Sequence, residues 1–447
     1  MLNKRVDMLN GALLPNIMAF AIPLMITNLL QMIFTAADTI VVGKFAGQIP
    51  LAAVGATGSI IFLFTALLQG LSTGTNVVVA QRIGANDKEG VSRAVHTSIL
   101  MGLIGGIFIS ILAFICARPL LTVLSTPGDI IEYSITYMRV YLSSAVFISE
   151  YNFLSGILRA KGDTKRPMYY LMIAGVINVL LNLVFVIVFK WAVVGVALAT
   201  AMSQVISAVL CFIALCNDKD DTHFEFKYLV IDEALCKEIV RIGIPAGLQG
   251  MAFSFTNIIV QSAINSFDSS SIVAGNTAAA NIENFIYIGM MAFCNATVTF
   301  TSQNVGANKK ERILPIFNIT MLLSCVSAFV IGFLAWYKGR FFLSFYTSEE
   351  AVIDYGMIRL FYLAVFLFLN ACLDVFAGSL RGMGKSTSPT LIMMIGIIGT
   401  RLLWISTVFK QYGTLESLYI CFPVSWFVTI VIYLVVYIFH MKKFLRN

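Results

Sequence analysis

The chain has 447 residues, 59% of them hydrophobic and only 12% charged, with a mean hydropathy of +0.87. That balance excludes a soluble globular domain and points to a polytopic, all-α integral membrane protein. The formal charge of +7 follows from membrane topology and requires no nucleic acid as partner.

Charged and Gly/Pro-rich punctuation divides the chain into twelve apolar spans of about 20 residues or more, each enough for a roughly 30 Å hydrocarbon core. Transmembrane helices are predicted at 14–43, 51–80, 94–116, 131–158, 168–189 and 192–216. A second set follows at 239–266, 272–303, 314–336, 351–380, 389–409 and 414–440. The first span has neither a short h-region nor a small-residue cleavage site, so no removable signal peptide is expected. With both termini cytoplasmic, the proposed inner segments, counted with Arg241 at the start of the seventh span, hold 21 of the 30 Lys and Arg. The outer ones hold Lys44, Arg118, Lys190, Lys338, Arg340 and Lys410, and Arg139, Arg359 and Arg401 fall within spans. This is the positive-inside pattern of a multi-pass protein of the cell (inner) membrane.

The first span carries a carboxylate well inside it. Asn28, Gln31, Thr35 and Asp38 are spaced 3, 4 and 3 positions apart, which on a helix makes one polar stripe. A carboxylate at bilayer depth costs roughly 2.5–3.5 kcal/mol on insertion scales, and such residues usually face a bundle interior or a wet cavity. Asp38 either snorkels to a helix end or takes up and releases a cation; the stripe favours the cation. Pro23 in this span and Pro245 in the seventh either begin their helices or kink them as hinges.

Asn178 and Asn182 lie one turn apart in span five, Thr200 and Ser203 follow in span six, and Asn152 follows Glu150 in span four. Around Asp38 these groups would supply oxygen ligands for Na⁺ or hydrogen bonds to a proton site. The plain alternative for the Asn pair is interhelical hydrogen bonding.

The two halves are related. Ile22-Pro23 recurs as Ile244-Pro245, and Gln81-Arg-Ile-Gly-Ala-Asn86 recurs as Gln303-Asn-Val-Gly-Ala-Asn308. Arg118 matches Arg340, Tyr133 matches Tyr355, and Gly156-Ile-Leu-Arg159-Ala-Lys-Gly162 with Pro167 matches Gly378-Ser-Leu-Arg381-Gly-Met-Gly384 with Pro389. The interval along the chain is identical for every pair. Six spans per copy give both copies the same orientation, a parallel internal repeat, which is a transporter design. The domains expected are an N-lobe at 1–216, a cytoplasmic linker at 217–238 and a C-lobe at 239–447.

In the second half Val260 stands where the first has Asp38. Glu283 lies one turn from Tyr287, and Asn370 one turn from Asp374. Arg401 is the nearest candidate counter-charge, so Glu283 or Asp374 is expected to pair with it and stay ionised. The eight Cys are scattered through mostly apolar runs and the three His form no cluster, so neither disulfides nor a resident metal site is expected. No P-loop, H-E-x-x-H or nucleophile elbow is present, which disfavours an enzyme or ATP-driven transport and leaves an ion gradient as the energy source.

The Ile-Pro starts of spans one and seven, Asp38 with its following Val-Gly, and the paired Gln-x-x-Gly-Ala-Asn loops now stand together. With Leu158-Arg159-Ala-Lys-Gly162-Asp-Thr-Lys, Leu380-Arg381-Gly-Met-Gly384, and Asn178 leading into Gly195-Val-Ala-Leu-Ala-Thr200, the chain resembles the multidrug and toxic compound extrusion (MATE) transporters over nearly its whole length. The resemblance implies two six-helix lobes rocking around a central cavity, exporting organic cations in exchange for Na⁺ or H⁺, with no other cofactor. By position it makes Asp38, Asn178, Asn182 and Thr200 the cation site of the N-lobe, with Asn152 beside it; Asp38 would hold Na⁺ if Na⁺ is the coupling ion. Many relatives have Asp where this chain has Asn182, which argues against a two-carboxylate proton mechanism. Some have a Glu near Phe253, missing here, and their second-lobe Asp falls at Asn370, with Asp374 one turn away.

The function expected is a secondary active antiporter, acting as a monomer by alternating access. Its expected partners are the lipid bilayer and small amphiphilic cationic substrates. Gln31, Thr35, Glu283, Tyr287, Asp374, Asn370 and Arg401 are the further polar candidates for the substrate path. The rival is a flippase for a lipid-linked saccharide, which would want a more cationic cavity than Arg401 and the outward-leaning Arg139 and Arg359 provide.

Overall fold

A computed structural model describes residues 5–124 and 126–446. Among them there is no β-strand, and the chain is a succession of helices. The first seven are α1 (Leu13–Val41), α2 (Gln48–Gly84), α3 (Lys88–Val123), α4 (Ile131–Ser143), α5 (Ala145–Ala160), α6 (Lys165–Leu183) and α7 (Ala192–Asn217). Then come α8 (Glu233–Asn265), α9 (Ser270–Gly306), α10 (Lys310–Tyr337), α11 (Gly339–Leu343), α12 (Glu350–Leu363) and α13 (Leu367–Gly382). The last are α14 (Thr387–Met393), α15 (Thr400–Trp404), α16 (Lys410–Tyr412), α17 (Leu415–Tyr419) and α18 (Cys421–Arg446). Helices α14 to α16 form one apolar stretch, Thr387–Tyr412, interrupted by π-helical segments at Met394–Gly399 and Ile405–Phe409.

Among the described residues ten helices are long and apolar enough to cross a membrane, and α12 with α13, bent by 42°, makes an eleventh span if the pair is taken as one. The expectation of unbroken helices at 131–158 and 351–380 is corrected. The first is split at Ser144 into pieces of 13 and 16 residues, the second just before Leu367. Ser144 and Phe366, which precede the second pieces, stand at equivalent positions of the two repeats, so both copies break their fourth span at one place. The first piece, α4, carries Glu132, Thr136, Arg139 and three tyrosines, too polar for an unaided crossing.

The motifs that betray the repeat are backbone devices. Asn86 and Asn308 have φ of 56° and 54°, and Gly162 and Gly384 have φ of 86° and 75°. Each ends a helix in the left-handed region that Gly and Asn tolerate best. After Asn86, the Asp87 side chain caps α3 by accepting from Gly90 N at 2.9 Å.

The chain divides into two compact units, and the division is not at the linker. One holds the described residues up to Met8 with Ile22–Gly250; the other holds Leu9–Ala21 with Met251–Asn447. The first part of α8 thus belongs to the first unit and the first part of α1 to the second. In the first unit, a Cβ on Gly70 would lie 2.3 Å from Gly247 N, and one on Gly74 would lie 2.4 Å from the Ile239 carbonyl oxygen. Glycines on both sides let the α2 and α8 backbones touch, as small-residue stripes do in membranes. In the second unit, Phe20 of α1 meets Phe300 of α9 edge-on, with centroids 5.7 Å apart. Pro23 and Pro245 are interior to α1 and α8, so the reading that they begin these helices is set aside.

Residues 218–232 are folded onto the first unit. The His96 ring stacks on Phe224 with centroids 5.1 Å apart, and Arg93 meets Asp232 at 3.2 Å. Asp218 takes both arms of Arg166, at 2.9 and 3.0 Å, and also Lys161. Burial pushes the Asp218 carboxyl up, but the bonds from Arg166 and Lys161 outweigh it and hold the group below its ordinary range. Burial draws the Lys161 ammonium below its own ordinary value. The acid has three cations on it, Arg5 at 3.8 Å being the third, and the lysine is shared with Asp220 at 3.6 Å, so the acid governs the cluster. A depressed carboxylate stabilises fully above its unfolded value of about 3.9 and loses that contribution as pH falls through the folded value. Asp218→Asn is expected to cost about 3–5 kcal/mol at pH 7, as breaking a buried pair does. In thermal unfolding scans its deficit against the parent should shrink below about pH 4; a deficit independent of pH would contradict the assignment.

Candidate cation site

Side chains from α6 and α7 converge on Asp38 of α1, all within the first unit. The approach of α1 to α6 is set by Gly175, where a Cβ would lie 1.8 Å from Phe34 Cε2. Phe34 is one turn before Asp38 and Gly175 almost one turn before Asn178, so seating the ring against bare backbone brings the polar groups level. Helix α7 is held to the end of α6 in a similar way, a Cβ on Gly195 falling 2.9 Å from Phe185 Cβ. π-Helical segments follow Asp38 at Val42–Ala46 and Asn182 at Val184–Val188. Such segments are rare and occur often at functional sites.

Asn182 Nδ2 donates to Asp38 Oδ1, and Thr200 Oγ1 donates to Asp38 Oδ2 at 3.3 Å. Asn182 is fully buried, Asn178 is 3% exposed and Thr200 8% exposed. The Asn182 Oδ1 atom is buried with no donor on it among the described residues. The Asn178 amide fits the site either way round: with one assignment its oxygen accepts from Asn182 Nδ2 at 3.2 Å and its nitrogen donates to Thr200 Oγ1 at 3.3 Å, and with the other its nitrogen donates to Asp38 Oδ1 at 2.8 Å. No Lys or Arg among the described residues contributes to the surroundings of Asp38. A carboxylate, two amide oxygens and a hydroxyl form an all-oxygen donor set of the kind hard cations take.

An apolar wall backs this cluster: Val41, Val42, Tyr137, Val186, Val193, Val196 and Ala197 pack together from the same helices, their π-helical extensions and α4. Tyr137 has no signal in the sequence, where one tyrosine in an apolar run looks like any other.

The other candidates of this unit make no hydrogen bond to Asp38 among the described residues. Asn152 donates to the Ile148 carbonyl at 2.7 Å and is not among the hydrogen-bond partners of Asp38. Thr35 donates to the Gln31 carbonyl at 2.9 Å; both residues are on an exposed face of α1. Glu150 Oε1 is buried without a partner among the described residues and would lie 2.8 Å from a Cβ on Gly102.

In the second unit the expected pairing with Arg401 is overturned. Glu283 is held by Arg359, at 2.9 Å from Nε and 2.8 Å from Nη2. Arg359 is buried, and it also donates to Asn276 Oδ1, which accepts from the Tyr419 hydroxyl at 3.1 Å. A planar fork facing a carboxylate makes a tight pair, and α12, which carries Arg359, packs beside α9, which carries Glu283. Asp374 is buried with Oδ2 unpartnered among the described residues, as is Asn370 Oδ1 one turn earlier. Tyr287 packs against the apolar core of that unit.

A family model described as MatE matches residues 23–184 and again 245–404, so both matches begin on the paired prolines. The Probable multidrug resistance protein YpnP of Bacillus subtilis is 26% identical over 394 residues, 88% of this chain and 87% of its own. The Probable multidrug resistance protein YoeA of the same organism is 24% identical over 435 residues, 95% and 93%. A solved structure described as the outward-facing conformation of a multidrug resistance MATE family transporter of the MOP superfamily superposes with a TM-score of 0.92 at 23% identity, covering all of both chains. At that identity the likeness is one of fold. With its model matched twice over most of the sequence, the chain belongs to the MatE family of multidrug and toxic compound extrusion transporters.

Proposed function

We propose that the protein is a secondary active antiporter that exports amphiphilic organic cations in exchange for Na⁺ or H⁺ bound at Asp38. One observation carries this reading: two helices direct hydrogen-bond donors onto a half-buried acid of a third, and that acid forms no ion pair with Lys or Arg among the described residues. The relatives named as multidrug resistance proteins support the substrate class. A proton on Asp38 would be donated to Asn178 Oδ1; Na⁺ would instead draw Asp38, Asn178 Oδ1, Asn182 Oδ1 and Thr200 Oγ1 toward itself. Loading of Asp38 is coupled to substrate affinity, with the same free energy in both directions. The protein acts as a monomer in the inner membrane, with both termini cytoplasmic. Efflux of a cationic dye from proteoliposomes, with Na⁺ and H⁺ gradients imposed one at a time, tests this. Acceleration by one of them is expected, and efflux indifferent to both would overturn the proposal.

A further inference from the structure

We infer that Arg401 anchors a carboxylate-binding site in the second unit, serving amphiphiles that carry a carboxylate beside their cationic group. The inference rests on the transport reading above and narrows its substrate class.

Two arginines lie by the Phe422 ring. Glu283 neutralises Arg359, so Arg401 leaves the group with one net positive charge. Its guanidinium lies over Phe422 at 4.0 Å and donates from Nε to Ser425 Oγ at 3.1 Å. The residue is 1% exposed, and neither Nη1 nor Nη2 has a hydrogen-bond partner among the described residues. A buried charge without a counter-ion is expensive, and the ring and one hydroxyl offset only part of it. Both free nitrogens lie on one edge of a planar group, which fits the two oxygens of a carboxylate; a halide would engage the fork at a single point.

The repeat gives the place a meaning. In the register of the repeat Phe422 stands for Thr200, Ser425 for Ser203, Thr400 for Asn178 and Val260 for Asp38. The first unit presents an acid in this region; the second presents a fixed cation from Arg401, which stands for Val179 beside Asn178. π-Helical segments at Met394–Gly399 and Ile405–Phe409 bracket Arg401, and their irregular backbone hydrogen bonds give the flanking turns room to shift as a ligand enters.

The test uses rhodamine 110, which bears a free carboxylate, and rhodamine 123, its methyl ester. Binding of each to the purified full chain is followed by fluorescence polarisation. The parent should bind both. Arg401→Gln should weaken rhodamine 110 at least tenfold, about 1.4 kcal/mol, and rhodamine 123 less than twofold. Arg401→Lys keeps the charge without the fork and should weaken rhodamine 110 at least threefold, and it decides the matter if the Gln variant does not fold. Equal loss of both dyes, or loss of neither, overturns the site. A parent that binds the ester alone overturns the site and leaves the export reading standing; one that binds neither dye overturns both.

Discussion

Asparagine in place of Asp38 is expected to reduce gradient-driven dye efflux to the level of empty vesicles while the protein still purifies as a folded species. The two side chains have nearly the same shape, and an amide oxygen at this position still accepts from Thr200, 3.3 Å away. What the substitution removes is the charge that a cation would bind and leave. Coupling between two ligands commonly amounts to about 1–3 kcal/mol, or roughly 5- to 150-fold in affinity, and all of it should vanish. Because the half-buried acid has no basic partner to strand among the described residues, the thermal stability should fall little or rise. Full gradient-driven efflux by Asp38→Asn would remove Asp38 from the coupling step.

Leucine at Gly70 should have the largest effect on folding. Its Cβ would lie 2.3 Å from Gly247 N and 2.5 Å from the Gly243 carbonyl oxygen, both backbone atoms, so no rotamer relieves the overlap. Overpacking typically costs about 1–3 kcal/mol and more where backbone must move, and we expect the upper end. Gly58 provides the control on the same helix, since a Cβ there meets nothing within 4 Å. Gly58→Leu should stay within about 0.5 kcal/mol of the parent. Thermal unfolding and size-exclusion profiles of the two variants compare them directly; equal behaviour would show that the α2–α8 contact is not tight.

Much of the architecture is legible because the signals are long. Extended apolar runs, and a repeat that keeps one interval from Pro23 to Pro389, survive errors at single positions. The Asp38, Asn178, Asn182 and Thr200 group is legible for a similar reason: polar residues are rare in such spans, so a few that share helical spacing stand out. The broken fourth spans are not, since a bend at Ser144 has no proline or glycine beside it to announce it. The partner of Glu283 is hidden because sequence order says nothing of which helices pack. Arg359 lies on α12, which packs beside α9, while Arg401 turns to Phe422 and Ser425 on α18. The division of α1 and α8 between units is equally hidden, as it depends on where backbones meet rather than on where charged residues collect.

Titrating a cationic dye onto the purified protein at stepped Na⁺ concentrations and stepped pH, for the parent and Asp38→Asn, tests the cation site most directly. The account predicts that dye affinity of the parent falls as one of the two cations rises, and that the variant binds the dye with an affinity indifferent to both. An Asp38→Asn protein whose dye affinity keeps the parent's dependence on that cation would contradict it.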